Sequence, residues 1–216
     1  MTTKEGDSNY FELARYRRQV TQSYAKLRSS SNAIDGVHEF RQTRDALFSH
    51  SPVTPLSIWQ RAHFSGLTYA PYNPDWRYSI KLDTSISHDI LEGDLPEGPV
   101  RYQRYGRANF TAPDGSDGHV DVFWIMGYGG GLFLPFRDAS SGQSTYGGGR
   151  YLIDTIKGAD LGSHGEKIII DFNMAYHPSC YYSTDWTCPL LTSENNLPFT
   201  VPVGEQKTPS LEADPV

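Results

Sequence analysis

The chain has 216 residues and 38% apolar content, enough for one well-filled core, and its formal net charge of -6 argues against a protein that grips phosphate backbones, which needs a basic surface to displace counterions. Its longest apolar runs, 122–126 and 168–170, are strand-length and far too short to cross a bilayer. The opening Met1-Thr2-Thr3-Lys4-Glu5-Gly6-Asp7 lacks the apolar region of a secretory signal, so the expectation is a cytoplasmic protein in a reducing compartment, with neither nucleic acid nor membrane as partner.

In chain order, residues 1–9 read as disordered, 10–205 as a single globular domain (10–50 helical, 56–205 mainly β), and 206–216, with Pro209 and Pro215, as a frayed tail. Leu13, Tyr16, Val20, Tyr24 and Leu27 recur at steps of three and four, which predicts an amphipathic helix with one buried stripe. Ser29-Ser30-Ser31-Asn32 supplies turn and N-cap chemistry. A second helical pattern then runs through Val37, Phe40, Arg44 and Leu47 and stops near Ser51-Pro52. Two helices cannot bury both stripes alone, so they read as a clasp laid on a sheet. After Pro55, aromatic, β-branched and glycine residues dominate, and strands are expected over 77–83, 100–110, 120–128, 131–136, 150–157, 167–172 and 199–203. Short strands joined by tight turns, with no helix between them, predict an α+β fold: a mainly antiparallel β sandwich or squat barrel with an N-terminal helical clasp.

Polar residues of several chemical types crowd the stretch 146–195. The triplet Gly147-Gly148-Gly149 leads into the strand-like Arg150-Tyr151-Leu152-Ile153, so it reads as a turn or bulge rather than a phosphate loop, which needs a helix after it. Arg150 is expected either to pair with Asp138 or Asp171 or to offer its guanidinium to a substrate carboxylate. Asp171 and Asn173 flank Phe172, and period-two alternation puts both on one face, where they could orient a water or anchor the following loop; Tyr176 could add a phenol. Cys180 and Cys188 with His177 give His-x2-Cys-x7-Cys, which matches no compact metal module, so no metal is assigned. The two cysteines are taken as structural thiols, with a disulfide, a metal ligand set and a nucleophile as the other readings. Tyr69, Tyr72, Trp76 and Tyr78 could line an apolar pocket or plug the β core.

These blocks, in order, resemble the family known as domain of unknown function 1684. The resemblance is carried by Arg44-Asp45-Ala46-Leu47-Phe48 with Ser51-Pro52, by Phe64-Ser65-Gly66-Leu67-Thr68-Tyr69 followed by Pro71-Tyr72, by Pro135-Phe136-Arg137-Asp138, by 146–152, and by Asp171-Phe172-Asn173 through Tyr176, Pro178, Cys180, Cys188-Pro189 and Glu194-Asn195. It spans most of the chain after the first helix. The chain departs from the pattern at His177, where asparagine is usual, and at Leu190-Leu191-Thr192-Ser193, where further prolines are usual. By this resemblance Arg150, Asp171, Asn173, Cys180, Cys188, Glu194 and Asn195 are the leading site candidates.

The functional expectation is a small enzyme without a cofactor, acting on a polar or anionic small molecule, such as a specialised metabolite, by hydrolysis, isomerisation or cyclisation. Asp171 or Glu194 would move a proton, and Asn173 or Tyr176 would orient the reacting oxygen. Arg150, Arg137, Tyr146 and Asn195 would hold the substrate. The alternative is a non-catalytic small-molecule-binding or interaction module whose polar cluster is structural.

Overall fold

Two long helices lead the chain in the computed structural model, which describes residues 10–95, 98–189 and 195–212. Helix α1 spans Tyr10–Ser29 and α2 spans Ala33–His50. The break between them is fixed by Asn32, whose side chain accepts the Ile34 N–H at 3.0 Å and so caps α2. The predicted stripes meet: Tyr24 packs edge-on against Phe40 with ring centroids 4.8 Å apart. The pair then closes over Ala159, Leu161, Ile169 and Met174, which is the clasp on the sheet. A short α3, Ile58–His63, is held by a reciprocal capping box between Ser57 and Gln60.

The remaining elements build two antiparallel sheets. The smaller joins β1 (Arg77–Lys81), β8 (Lys167–Asp171) and β7 (Ser163–His164), with β8 central. The larger runs in chain order through β2 (Ile90–Leu95), β3 (Gly98–Thr111), β4 (Asp117–Ile125), β5 (Gly131–Phe136) and β6 (Arg150–Asp154). Side chains of both sheets share one apolar core: Ala108, Val120, Val122, Leu134 and Phe136 on one side, Ile170 and Phe172 on the other. The fold is therefore α+β, with the helices at the N-terminal end. Trp76 and Tyr78 belong to the core, touching Phe172 at ring-centroid distances of 5.5 and 6.0 Å, so they plug it rather than line a pocket.

Several local expectations need correction. The strand expected over 199–203 is an extended segment outside both sheets. Pro202 removes a donor between Val201 and Val203, and the carbonyls of those two residues accept from the Arg150 guanidinium instead of from a neighbouring strand. The strand expected over 150–157 ends at Asp154, whose carboxylate accepts the Lys157 N–H at 3.2 Å and starts a 3-10 turn, Thr155–Lys157. Likewise β8 ends at Asp171, which caps the turn Phe172–Met174. Strand β2, absent from the sequence reading, forms on the edge of the larger sheet and pairs only with β3. Of the tail expected to fray, residues 206–212 are packed: Gln206 N–H donates to Thr68 O at 2.9 Å, and Leu211 is buried beside Phe48, Leu56 and Leu67. Residues 1–9 and 213–216, also expected to be disordered or frayed, lie outside the described residues. No helix among the described residues is long and apolar enough to cross a membrane.

Candidate functional site

The amphipathic helices do not seal completely on the sheet. Tyr16, Val20 and Tyr24 from α1 and Phe40, Leu47 and Phe48 from α2 face Tyr151, Tyr176, Tyr182 and Trp186 across a cleft of about 100 Å³. Such a mainly apolar concavity is the usual form of a small-molecule site. Its wall also carries Arg17, Arg44 and Lys157 and, among the described residues, no aspartate or glutamate. Behind that wall, Glu205 pairs with Arg44 at 2.8 Å and Asp154 with Lys157 at 3.4 Å, so the cations line the cleft while their carboxylate partners do not.

Arg44 stands on the buried stripe of α2 and is held in place from behind. Its Nη2 donates to Glu205 Oε2 at 2.8 Å, and its guanidinium lies 4.9 and 5.0 Å from the Phe48 and Tyr176 ring centres. Glu205 also accepts the Tyr182 hydroxyl at Oε1 and the His177 backbone N–H at 3.1 Å. Burial alone would raise the Glu205 carboxyl, but Arg44, His177 and Tyr182 outweigh it and hold it at about 2. His177 Nε2 accepts the Tyr146 N–H at 3.2 Å, so the proton sits on Nδ1, 3.3 Å from Glu205 Oε1 at a poor hydrogen-bonding angle. Both ring nitrogens thus face protein groups. Gly204 makes this possible, since its φ of +81° suits only glycine and a Cβ there would lie 2.8 Å from Phe172 O. A small adjoining space of about 10 Å³ shares Phe40, Arg44 and Tyr176 with the cleft. Around it Arg41 Nε and Nη2, Arg44 Nε and Tyr69 OH are buried without a hydrogen-bond partner among the described residues.

The two thiols are free and adjacent on the other wall. The 3-10 turn Ser179–Tyr181 aims the Cys180 N–H at Cys188 Sγ, 3.4 Å away, and Tyr146 OH lies 3.8 Å from Cys180 Sγ. Tyr151 OH donates to Pro189 O and ties down the residue after Cys188. Cys188 lines the cleft and Cys180 does not. The hydrogen bond from the Cys180 thiol lowers the Cys188 thiol against the opposing effect of burial, helped by Lys157 and the Ser179 and Cys180 N–H groups. The same hydrogen bond, with burial, raises Cys180. Burial and the neighbouring thiols raise the Tyr146 phenol to about 12.

The residues expected to form one site fall into four places. Asp171 and Asn173 do meet, because Asp171 Oδ1 accepts the Asn173 N–H at 2.9 Å and Nδ2–H at 2.8 Å across a 3-10 turn, not because both lie on a strand face. Asp171 Oδ2 accepts from Arg77 at 2.8 Å, and Asn173 exchanges two 2.8 Å hydrogen bonds with the backbone of Asn73. Arg150 is 1% exposed. It pairs with Asp138 at 3.1 Å, and its remaining Nη hydrogens reach the carbonyls of Val201, Val203 and Glu205. It therefore fixes the segment that presents Glu205. Asn195 bridges two strands, accepting from Asp121 N–H at 2.7 Å and donating to Asp121 O and Pro135 O at 2.8 and 2.7 Å. Arg137 joins that corner through its backbone, donating to Asn195 O at 2.7 Å. Only Tyr146, Tyr176, Cys180 and Cys188 belong to the cleft or its thiol wall; Glu194 lies outside the described residues. Among the described residues no three of His, Cys, Asp and Glu group as metal ligands.

Sequence reasoning passed over Arg44, Lys157, Tyr182 and Glu205 as site residues. For Arg44 a signal existed: a cation at an apolar position of a helical repeat must be paired or at a functional surface. Nothing local marked Glu205, whose partner is 161 residues away.

No curated protein matches the chain. Among solved structures, it is similar to the solution NMR structure of an uncharacterized protein of Haloarcula marismortui, at 30% identity and a TM-score of 0.57, over 80% of this chain and 93% of that one. The model of the family described as "Protein of unknown function (DUF1684)" matches residues 62–206, which include β1 to β8, the thiol pair and Glu205. The chain belongs to the DUF1684 family.

Proposed function

We propose that the protein binds a small, ring-bearing or otherwise apolar molecule with an anionic group, in the cleft between the helical clasp and the segment 176–188. The observation that carries this is the cleft wall, which combines aromatic side chains with Arg17, Arg44 and Lys157, while the Glu205 and Asp154 carboxylates that pair with Arg44 and Lys157 lie outside the described lining. Aromatic walls supply the apolar contact, and a charge in a partly dewatered cleft interacts more strongly than on the open surface. Binding is favoured over turnover by Asp171 and Asn173, since both are tied to Arg77 and Asn73 and neither lines the cleft.

The test is fluorescence titration with two aromatic probes of similar size, anionic anilinonaphthalene sulfonate and uncharged phenylnaphthylamine, on the wild type and Lys157→Ala. The anionic probe should saturate at one site per chain and bind more tightly than the neutral one. Lys157→Ala should weaken only the anionic probe, by about 1 kcal/mol or about five-fold. Equal binding of both probes, unaffected by Lys157→Ala, would overturn the reading.

A further inference from the structure

Beyond binding, the cleft wall carries chemistry of its own. Cys188, though buried, lines the cleft, as does Lys157, while the half-buried Cys180 packs against Tyr146 OH and does not line it. Cys188 Sγ lies 3.4 Å from the backbone nitrogen of Cys180, so the second sulfur is within side-chain reach of the first. The Ser179 and Cys180 N–H groups and the charge of Lys157 all favour negative charge on the Cys188 sulfur. Neither thiol is bridged. A pair of adjacent, inequivalent thiols, one of which lines a ligand cleft, suits thiol–disulfide exchange.

We propose that Cys188 and Cys180 form a dithiol exchange site, in which Cys188 attacks an anionic low-molecular-weight disulfide bound in the cleft and Cys180 resolves the product. The disulfide class rests on the cationic-cleft reading; the dithiol step does not. In the first step the Cys188 thiolate displaces one sulfur of the small disulfide, giving a mixed disulfide on Cys188 and a free small thiolate. That thiolate takes the Cys180 proton. Cys180 then attacks Cys188 Sγ, forming the Cys180–Cys188 bond and expelling the second small thiolate. Two electrons pass from the protein thiols to the small disulfide, which leaves as two thiols. Cys188 is the attacking residue because it lines the cleft, and Cys180 the resolving one because it does not.

The test uses the full reduced chain with dianionic dithiobis-nitrobenzoate and uncharged dithiodipyridine. The wild type should release two chromophores per chain and retain neither, its mass falling by two hydrogens. Cys180→Ser should release one and keep one adduct on Cys188. Cys188→Ser should react more slowly, since its remaining thiol does not line the cleft. A wild type that keeps an adduct overturns the dithiol step, and it does so without relying on the folding of either variant. The anionic preference is judged separately, from the wild-type rate ratio of the two reagents divided by the same ratio for a small free thiol. A ratio above one supports an anionic substrate. A ratio of one or less, with the internal disulfide still formed, overturns that substrate class and leaves the exchange site standing.

Discussion

Replacing Glu205 by glutamine should strand the buried Arg44 charge. Glu205 is fully buried and receives Arg44 Nη2 at 2.8 Å, the Tyr182 hydroxyl and the His177 N–H. Glutamine keeps the shape, removes the counter-charge and turns an NH2 toward groups that are themselves donors. Breaking one side of a buried ion pair costs about 3–5 kcal/mol. An independent route gives a similar figure: the carboxyl is held at about 2 against an ordinary 4.5, a gap worth roughly 3 kcal/mol. For a chain of this size such a loss lowers Tm by roughly 10 °C, readable by calorimetry or by urea unfolding at pH 7. The pH dependence follows with a definite sign. Because the folded value is depressed, the contribution is complete above about 4.5 and is lost as pH falls toward about 2. The stability difference between wild type and Glu205→Gln should therefore shrink over that window. A double variant, Arg44→Met with Glu205→Gln, should recover much of the loss, because no charge remains unpaired. A single variant within about 1 kcal/mol of wild type, or a difference that does not change between pH 4.5 and 2, would refute the reasoning.

Further outcomes follow from the other polar groups. Arg150→Met should cost about 3–5 kcal/mol by leaving Asp138 and three carbonyls short of their donor, read by urea unfolding. Gly204→Ala should cost at least about 2 kcal/mol, since the backbone has φ of +81° and the added carbon meets Phe172 O at 2.8 Å; a thermal melt checks it. Asp171→Asn should lower stability by about 1–3 kcal/mol while leaving affinity for the anionic probe unchanged, the opposite of what a cleft residue would do. Lys157→Ala, removing a partly exposed ammonium 3.4 Å from Asp154, should change stability by less than about 1 kcal/mol.

The helical clasp was legible because its signal is local. Stripes at steps of three and four, an asparagine cap and a serine-proline stop all act within one turn of the chain. The β core was legible as a class for the same reason, through its apolar runs and glycine turns. Strand β2 was not, because an edge strand paired on one side needs no apolar face, and Glu92 and Gly93 obscure its pattern. The ends of β6 and β8 were missed because Asp154 and Asp171 act as caps, a role their sequence shares with any strand-end carboxylate. The polar residues of 146–195 were correctly noticed and wrongly gathered. Arg150, Asp171 and Asn195 are each fully buried and satisfied by partners that only the three-dimensional fold supplies. The cleft itself joins α1 and α2 to residues more than a hundred positions later, so its composition emerges only once the clasp is docked. The closeness of the two thiols was open to sequence reasoning; their inequivalence comes from the 179–181 turn and Lys157.

The anion-binding cleft is tested most directly by an amide NMR titration of the labelled protein with anilinonaphthalene sulfonate. Saturable shifts should centre on Lys157, Tyr176, Trp186 and Cys188, with the same residues needing a higher concentration of the uncharged probe to shift. Shifts that centre instead on the exposed Trp124 and Tyr128, or that are the same for both probes, would contradict the account.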